Sequence, residues 1–284
     1  MKHFLMNLPD HPEATLEGYL LNCEGMALGQ YTRRPAILIC PGGGYVYCSL
    51  AEGEPVAMGY LSRGFHAFVL RYSTGHDAAG FAPLQEVSWA IGYIREHAEE
   101  WGIDPEKIVT CGFSAGGHLA LSAGLLAENK PNAMILGYPA TCTPNMKGAN
   151  FMLKLLEGRE DVTDEDAAKY DLPSKVTREA PPLFVVATCE DVLTSFCTMA
   201  LANTYNQLGL KFELHIFQHG PHGYAMANET SCNGSSRYLN AAFAQWKDLS
   251  VEWLHKIFGP LTFEDKDNSR MVQYLKELGI SLDA

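Results

Sequence analysis

An α/β fold built on a mostly parallel central sheet, with helices on both faces, is what this 284-residue sequence predicts. Three observations carry that expectation. Short apolar runs recur along the chain, amphipathic stretches separate them, and most runs are apolar nearly throughout instead of alternating with polar residues. Strands covered on both faces have that pattern, and strands alternating with helices imply parallel pairing.

In order, the predicted strands are "AILIC" (Ala36–Cys40), "HAFVLRY" (His66–Tyr72), "KIVTCGF" (Lys107–Phe113), "NAMILGYP" (Asn132–Pro139), "PLFVVAT" (Pro182–Thr188) and "KFELHIF" (Lys211–Phe217). Leu84, Val87, Ile91, Ile94 and Ala98 recur at helical spacing in "PLQEVSWAIGYIREHAEEWG", which predicts one helix stopped by Gly102 with Pro105 beyond it. Further helices are expected over Ala115–Leu126, Ser195–Leu208 and Tyr238–Phe258. No repeat or linker interrupts the series, so a single domain over residues 1–284 is expected. Residues from about 140 to 181 break the alternation with the acidic stretch "LEGREDVTDEDAAKYD". That stretch reads as a solvated helical face, or as an insertion that caps a pocket. The tail from about residue 260 is expected to carry one surface helix.

The 21 basic against 33 acidic residues, a net charge of −12, argue against nucleic acid and anionic membrane surfaces as partners. A small neutral or cationic substrate fits the charge, as does plain solubility. The N-terminal "MKHFLMNLPDHPEA" has no apolar core or small-residue cleavage site, so no signal peptide is expected, and no apolar run reaches the length of a membrane span. The eight cysteines include no Cys-x-x-Cys pair or zinc-like spacing, and several lie inside strand-like runs. Reduced, buried thiols in a cytoplasmic protein are expected, with no metal. Oligomeric state is left open, a homo-oligomer being possible.

The stretch "TCGFSAGGHLA" places Ser114 between the strand "KIVTCGF" and a helix, flanked by Gly112, Ala115, Gly116 and Gly117. A turn that sharp strains the serine backbone and tolerates only small neighbours. It also lifts the hydroxyl above the sheet edge and aims a helix N-terminus at whatever the serine attacks. Ser114 is therefore the candidate nucleophile. An oxyanion needs preorganised N–H donors. "CPGGGY" follows the strand "AILIC", at the strand end where open α/β sheets bind ligands. Gly43 and Gly44, with the N–H of Ala115, are the candidate donors; Tyr45, Tyr47 and Tyr224 are expected to crowd the site.

A serine hydroxyl needs a base, and the base an orienting carboxylate. His222, in "HGPHGYAM" just after "KFELHIF", is the candidate base, with His219 its rival. His215 lies inside the strand and His118 one turn into the helix after Ser114, where packing is the simpler role. Asp191 in "VVATCEDVLTS" is the candidate carboxylate, with Glu190 the alternative.

With these pieces in the order Ser…Asp…His, the sequence resembles an α/β-hydrolase of the small esterase/lipase group that includes acetyl-xylan-esterase-like enzymes. The resemblance covers roughly residues 15–258 and is strongest at "PGGGY", "EWGIDPEKI" leading into "GFSAGGHLA", "APPLFVVATCED" and "LHIFQHGPHGY". Hormone-sensitive-lipase-like relatives carry His-Gly-Gly-Gly at the oxyanion loop, whereas Pro41 precedes the glycines here, which points towards the sugar-ester branch. The resemblance implies a serine carboxylic-ester hydrolase acting through an acyl-enzyme, without cofactor or metal. Short-chain, acetyl esters of carbohydrates are the expected small-molecule substrates. A serine peptidase or amidase of the same fold, and a non-catalytic binding protein, are the alternatives.

Overall fold

The computed structural model describes residues 1–23, 29–31, 33–146, 148–265 and 270–280. The chain opens on an antiparallel hairpin, β1 (Lys2–Leu8) and β2 (His11–Leu20), that the sequence reading did not anticipate. A short strand β3 (Gly29–Tyr31) then leads to β4 (Arg34–Cys40). Within β4, Ala36, Leu38 and Cys40 enter one apolar cluster while Ile37 and Ile39 enter another, and all five are fully buried. Successive side chains point to opposite faces, so a strand buried on both sides has no position for a polar residue. The unbroken run "AILIC" is the sequence consequence.

The helix α1 (Glu54–Leu61), also unanticipated, begins with Pro55 in its first turn and buries Val56, Ala57, Tyr60 and Leu61. It connects to β5 (His66–Arg71), which is followed by α2 (Ala82–Glu96) and a separate short turn, α3 (Ala98–Trp101). The single helix expected here is interrupted at His97, where ψ is 9° and the backbone leaves the helical path. Gly102 does stop it, in the left-handed conformation at φ 66°.

Strand β6 (Ile103–Phe113) runs into Ser114, and α4 (Ala115–Leu126) runs out of it. Then come β7 (Ala133–Gly137), α5 (Ala149–Glu157) and α6 (Asp164–Lys169). A capping box between Thr163 and Asp166 starts α6. The chain continues through β8 (Leu183–Thr188), α7 (Ser195–Leu208) and β9 (Phe212–Phe217). The helix expected from Tyr238 begins only at Trp246, as α8 (Trp246–Phe258). Asn240 accounts for the delay: its Oδ1 accepts from the N–H groups of Ala242 and Phe243, and its Nδ2 donates to the His219 carbonyl, turning the chain. In the tail, β10 (Phe263–Asp265) pairs with β3 and α9 (Arg270–Glu277) follows.

The main sheet has the order β1-β2-β5-β4-β6-β7-β8-β9. Strands β5 to β9 are parallel across it, and the β1–β2 hairpin adds antiparallel to β5. Buried residues of α2, α4 and α7 pack on one face; those of α1 and α8 pack on the other. No helix among the described residues is long and apolar enough to cross a membrane.

The helix α4 approaches the end of β4 so closely that no side chain fits between them. A Cβ at Gly116 would lie 2.0 Å from the Cys40 carbonyl oxygen and 2.3 Å from that of Pro41. One at Gly112 would lie 2.1 Å from the Gly116 oxygen. Gly116→Ala is therefore expected to cost about 1–3 kcal/mol by forced separation of helix and strand, read as a lower urea midpoint. An unchanged midpoint would contradict the close approach.

Candidate active site

Ser114 occupies a backbone conformation that side chains avoid, φ 52° and ψ −118°. Its peptide groups hold it there. Its N–H donates to the Gly137 carbonyl (3.0 Å), and its carbonyl accepts from the N–H groups of His118 and Ala140 (both 3.0 Å). The strain expected of a tight strand-to-helix turn is thus present and hydrogen-bonded on both sides.

The parallel register of β8 and β9 brings the other candidates to the same place. Thr188 is level with Phe217, and beyond them the Cys189 N–H donates to the Phe217 carbonyl (2.8 Å) while the Thr188 hydroxyl donates to that of Gly220 (2.6 Å). The segments carrying Asp191 and His222 therefore leave the sheet together. Asp191 Oδ2 lies 2.8 Å from His222 Nδ1, and His222 Nε2 lies 2.7 Å from Ser114 Oγ. A carboxylate only accepts, so Nδ1 carries the proton and Nε2 is left to accept from the serine hydroxyl.

Asp191 is almost wholly buried, which opposes its ionisation. The His222 ring, the Thr194 hydroxyl (2.7 Å) and the Leu193 N–H (2.9 Å) outweigh burial and hold its carboxyl below the usual range. The neighbouring residues form a separate, exposed pair. Glu190 Oε1 lies 2.8 Å from His219 Nδ1, and Glu190 Oε2 accepts from the Gly220 N–H at 3.0 Å. Neither Glu190 nor His219 contacts Ser114.

An open cleft of about 400 Å³ lies over the serine, lined among others by Gly43, Gly44, Tyr47, Asn233 and Tyr238. The N–H groups of Gly43 and Gly44 have no acceptor among the described residues. Nor has that of Ala115, the first residue of α4. Gly43 needs to be glycine: its φ is 127°, and a Cβ there would sit 2.0 Å from the Tyr47 carbonyl oxygen.

Two of the three tyrosines expected to crowd the site do not. Tyr45 is buried beneath the loop, where its hydroxyl lies 2.8 Å from His118 Nδ1. Tyr224 packs inside the core against Phe243. Tyr47 lines the cleft, joined by Tyr238, which ends a short 3-10 turn ahead of α8. His118 packs, as expected. Burial pushes its pKa down to about 4, and its Nε2–H donates to the Tyr170 carbonyl at 3.3 Å. Nδ1 is thereby free to accept the Tyr45 hydroxyl. None of the cleft-lining residues comes from 140–181; the segment instead packs Met152, Leu153, Leu156 and Tyr170 into the core.

Two further residues were not singled out from the sequence. Glu52 lines the cleft although its side chain is buried, and the Tyr138 ring stands 5.0 Å from that of His222. An acid within "SLAEGEP" and a tyrosine ending the strand "NAMILGYP" carry no pattern that points to a site.

Comparison with known proteins bears on this architecture. The family model described as BD-FAE matches residues 27–147. Endo-1,4-beta-xylanase B of Butyrivibrio fibrisolvens is 30% identical over 256 residues, which are 83% of this chain and 40% of that protein. The acetylxylan esterase of Xylanibacter ruminicola is 27% identical over 231 residues, 78% of this chain and 46% of that one. The chain thus spans less than half the length of these two relatives. A solved structure matches over nearly its whole length: MGS-M1, an α/β-hydrolase enzyme from a Medee basin deep-sea metagenome library. It has 32% identity and a TM-score of 0.77, with 90% of this chain and 98% of that one covered. The eight-stranded sheet, the helices on both its faces and the likeness to that structure together make the chain a member of the α/β-hydrolase family.

Proposed function

We propose that the chain hydrolyses short-chain, chiefly acetyl, esters of carbohydrates through a serine acyl-enzyme. One observation carries the mechanism: hydroxyl, imidazole and buried carboxylate stand in line at 2.7 and 2.8 Å beneath an open cleft. Ser114 Oγ attacks the ester carbonyl while its proton passes to His222 Nε2. Asp191 fixes the imidazole tautomer and stabilises the imidazolium that forms. The N–H groups of Gly43, Gly44 and Ala115, which have no acceptor among the described residues, receive the tetrahedral oxyanion. The imidazolium then protonates the departing alcohol, and a water activated by the same imidazole releases the acid.

The substrate class rests on the cleft and the relatives. Ser49, Asn233, Tyr47 and Tyr238 around the cleft offer hydroxyl and amide groups suited to a polyhydroxyl alcohol. Xylan is the polymer in the names of the two relatives described above.

Three sets of measurements test this reading. Ser114→Ala should remain folded and lose about 10⁴- to 10⁶-fold in kcat; near-normal turnover in the folded variant would remove the mechanism. Asp191→Asn should cost about 10⁴-fold by favouring the wrong tautomer. Glu190→Gln and His219→Ala, which break only an exposed pair, should stay close to wild type, and the reverse ranking would transfer the roles to them. Across C2 to C12 p-nitrophenyl esters, kcat/KM should peak at the short end, each methylene that does not fit costing about 1–3 kcal/mol. A maximum at C8 or longer would reject the short-acyl reading, and inactivity on acetylated xylo-oligosaccharides would reject the carbohydrate one.

A further inference from the structure

Glu52 is a buried carboxylate that bridges two loops. It ends a short 3-10 turn after the glycine loop, its residue is 4% exposed, and it forms no ion pair with any described residue. Its Oε2 accepts from the N–H of Gly42 at 2.8 Å, and its Oε1 accepts from the Tyr138 hydroxyl at 2.6 Å. The Tyr138 oxygen in turn accepts from the N–H of Ala225 at 2.8 Å. Gly42 directly precedes the two candidate oxyanion glycines, and Ala225 lies three residues after His222. A single carboxylate thereby connects the oxyanion loop to the histidine loop.

The directions of these bonds leave little freedom. Ala225 N–H can only donate, so Tyr138 spends an oxygen lone pair on it and turns its one hydroxyl proton to Glu52. Gly42 N–H also can only donate. Both carboxylate oxygens therefore face donors, and a proton on either would point at another donor. Burial, the largest influence, raises the pKa of Glu52 above the ordinary carboxylate value, and the Tyr138 hydroxyl, the Gly42 N–H and positive charge on His222 offset only part of that rise. An anion in such a place is costly unless something uses it.

The conformations it holds are themselves strained. Tyr138 and Ala225 have φ of 36° and 48°, which neither residue adopts without support. At Gly42 a Cβ would lie 2.6 Å from Glu52 Oε2 and 3.1 Å from Ser114 Cβ. The Gly42 backbone is thus packed closely against both the carboxylate and the nucleophile.

We infer that Glu52 is a positioning residue for ester hydrolysis: through Gly42, and through Tyr138 to Ala225, it holds the oxyanion loop and His222 in register about Ser114, and its negative charge stabilises the imidazolium formed during acyl transfer. The inference rests on the serine mechanism proposed above. Ser114, Asp191 and, at 3.4 Å, the Thr194 hydroxyl lie within hydrogen-bond distance of the His222 ring, the Tyr138 ring stands 5.0 Å from it, and Glu52 interacts with it electrostatically, adding a second carboxylate to that of Asp191.

Two variants separate geometry from charge. Tyr138→Phe keeps the ring beside His222 and the charge on Glu52, yet releases Ala225; kcat should fall about 10- to 100-fold from misplacement of the base, with KM little changed. Glu52→Gln removes the charge; kcat should fall comparably, and the acid limb of kcat/KM should move to lower pH, because coupling between two charges is reciprocal. A merely structural contact would lower the folded fraction without moving that limb. The inference is overturned by wild-type kcat in Tyr138→Phe, or by an unmoved acid limb in folded Glu52→Gln. If Glu52→Gln does not fold, Tyr138→Phe decides alone. Ser114→Ala assayed in parallel keeps the two readings apart. Activity in that variant removes the serine mechanism. Its inactivity beside wild-type behaviour of the Glu52 and Tyr138 variants removes only the role of Glu52.

Discussion

Ser114 holds a backbone conformation that costs on the order of 1–3 kcal/mol, and much of the surrounding structure exists to retain it. Gly137 on one side, and His118 and Ala140 on the other, occupy its N–H and carbonyl. Gly112 and Gly116 give up their side chains so that the strand before it and the helix after it can fold back on each other. The same contact seats α4 on the carbonyls of Cys40 and Pro41, where the glycine loop begins. A hydroxyl, a set of N–H groups without acceptors among the described residues and a helix N-terminus thereby converge through backbone packing.

The remaining parts of the site arrive by sheet register. In a parallel pair, residues at the same level leave the sheet on the same side, so the segments after β8 and β9 meet. Two acid–histidine pairs result from that meeting. Glu190 with His219 lies in solvent, while Asp191 with His222 is turned inward. The outer pair also fastens the Gly220 N–H, so its place at the base of the histidine loop is structural. Surface pairs of this kind contribute little to stability, whereas the buried carboxylate has all its main partners defined.

How much of this could be read from residues alone depended on burial. Strands β4 to β8 have dry faces on both sides and announced themselves as apolar runs; β6 was recognised from Lys107 but starts at Ile103, where Asp104 and Pro105 conceal it. The hairpin β1–β2 escaped notice because it is half-exposed. Phe4, Met6 and Leu8 face the core while Leu5 faces water, so the alternation was visible but diluted by the adjacent "PDHPE" turn. Helix α1 was hidden by Gly53, Pro55 and Gly59. At the site, the positions of Ser114, Asp191 and His222 were legible because each follows a strand-like run, fully dry in β8, dry at its end in β6 and half-buried in β9. Tyr45 and Tyr224 were misplaced because adjacency in sequence does not fix side-chain direction, and a φ of 61° at Tyr45 sends its ring beneath the loop. Glu52 was invisible, since only the fold reveals that an acid in a glycine-rich stretch is dry.

The contact between Tyr45 and His118 gives the molecule two imidazoles with opposite duties. In the proposed mechanism His222 gains and loses a proton in each turnover, whereas His118 anchors the glycine loop only while its Nδ1 is bare. Burial secures that condition by holding His118 near a pKa of about 4, so the latch stays shut on any proton that comes and goes at the ester. The arrangement has an acid boundary. Because an unfolded chain would protonate this imidazole at ordinary histidine values, acidification from that range towards pH 4 progressively favours the unfolded state. Below about pH 4 the latch is itself forced open. The glycine loop is thus insulated from the proton cycle proposed for His222 by a histidine whose own titration has been moved to about pH 4.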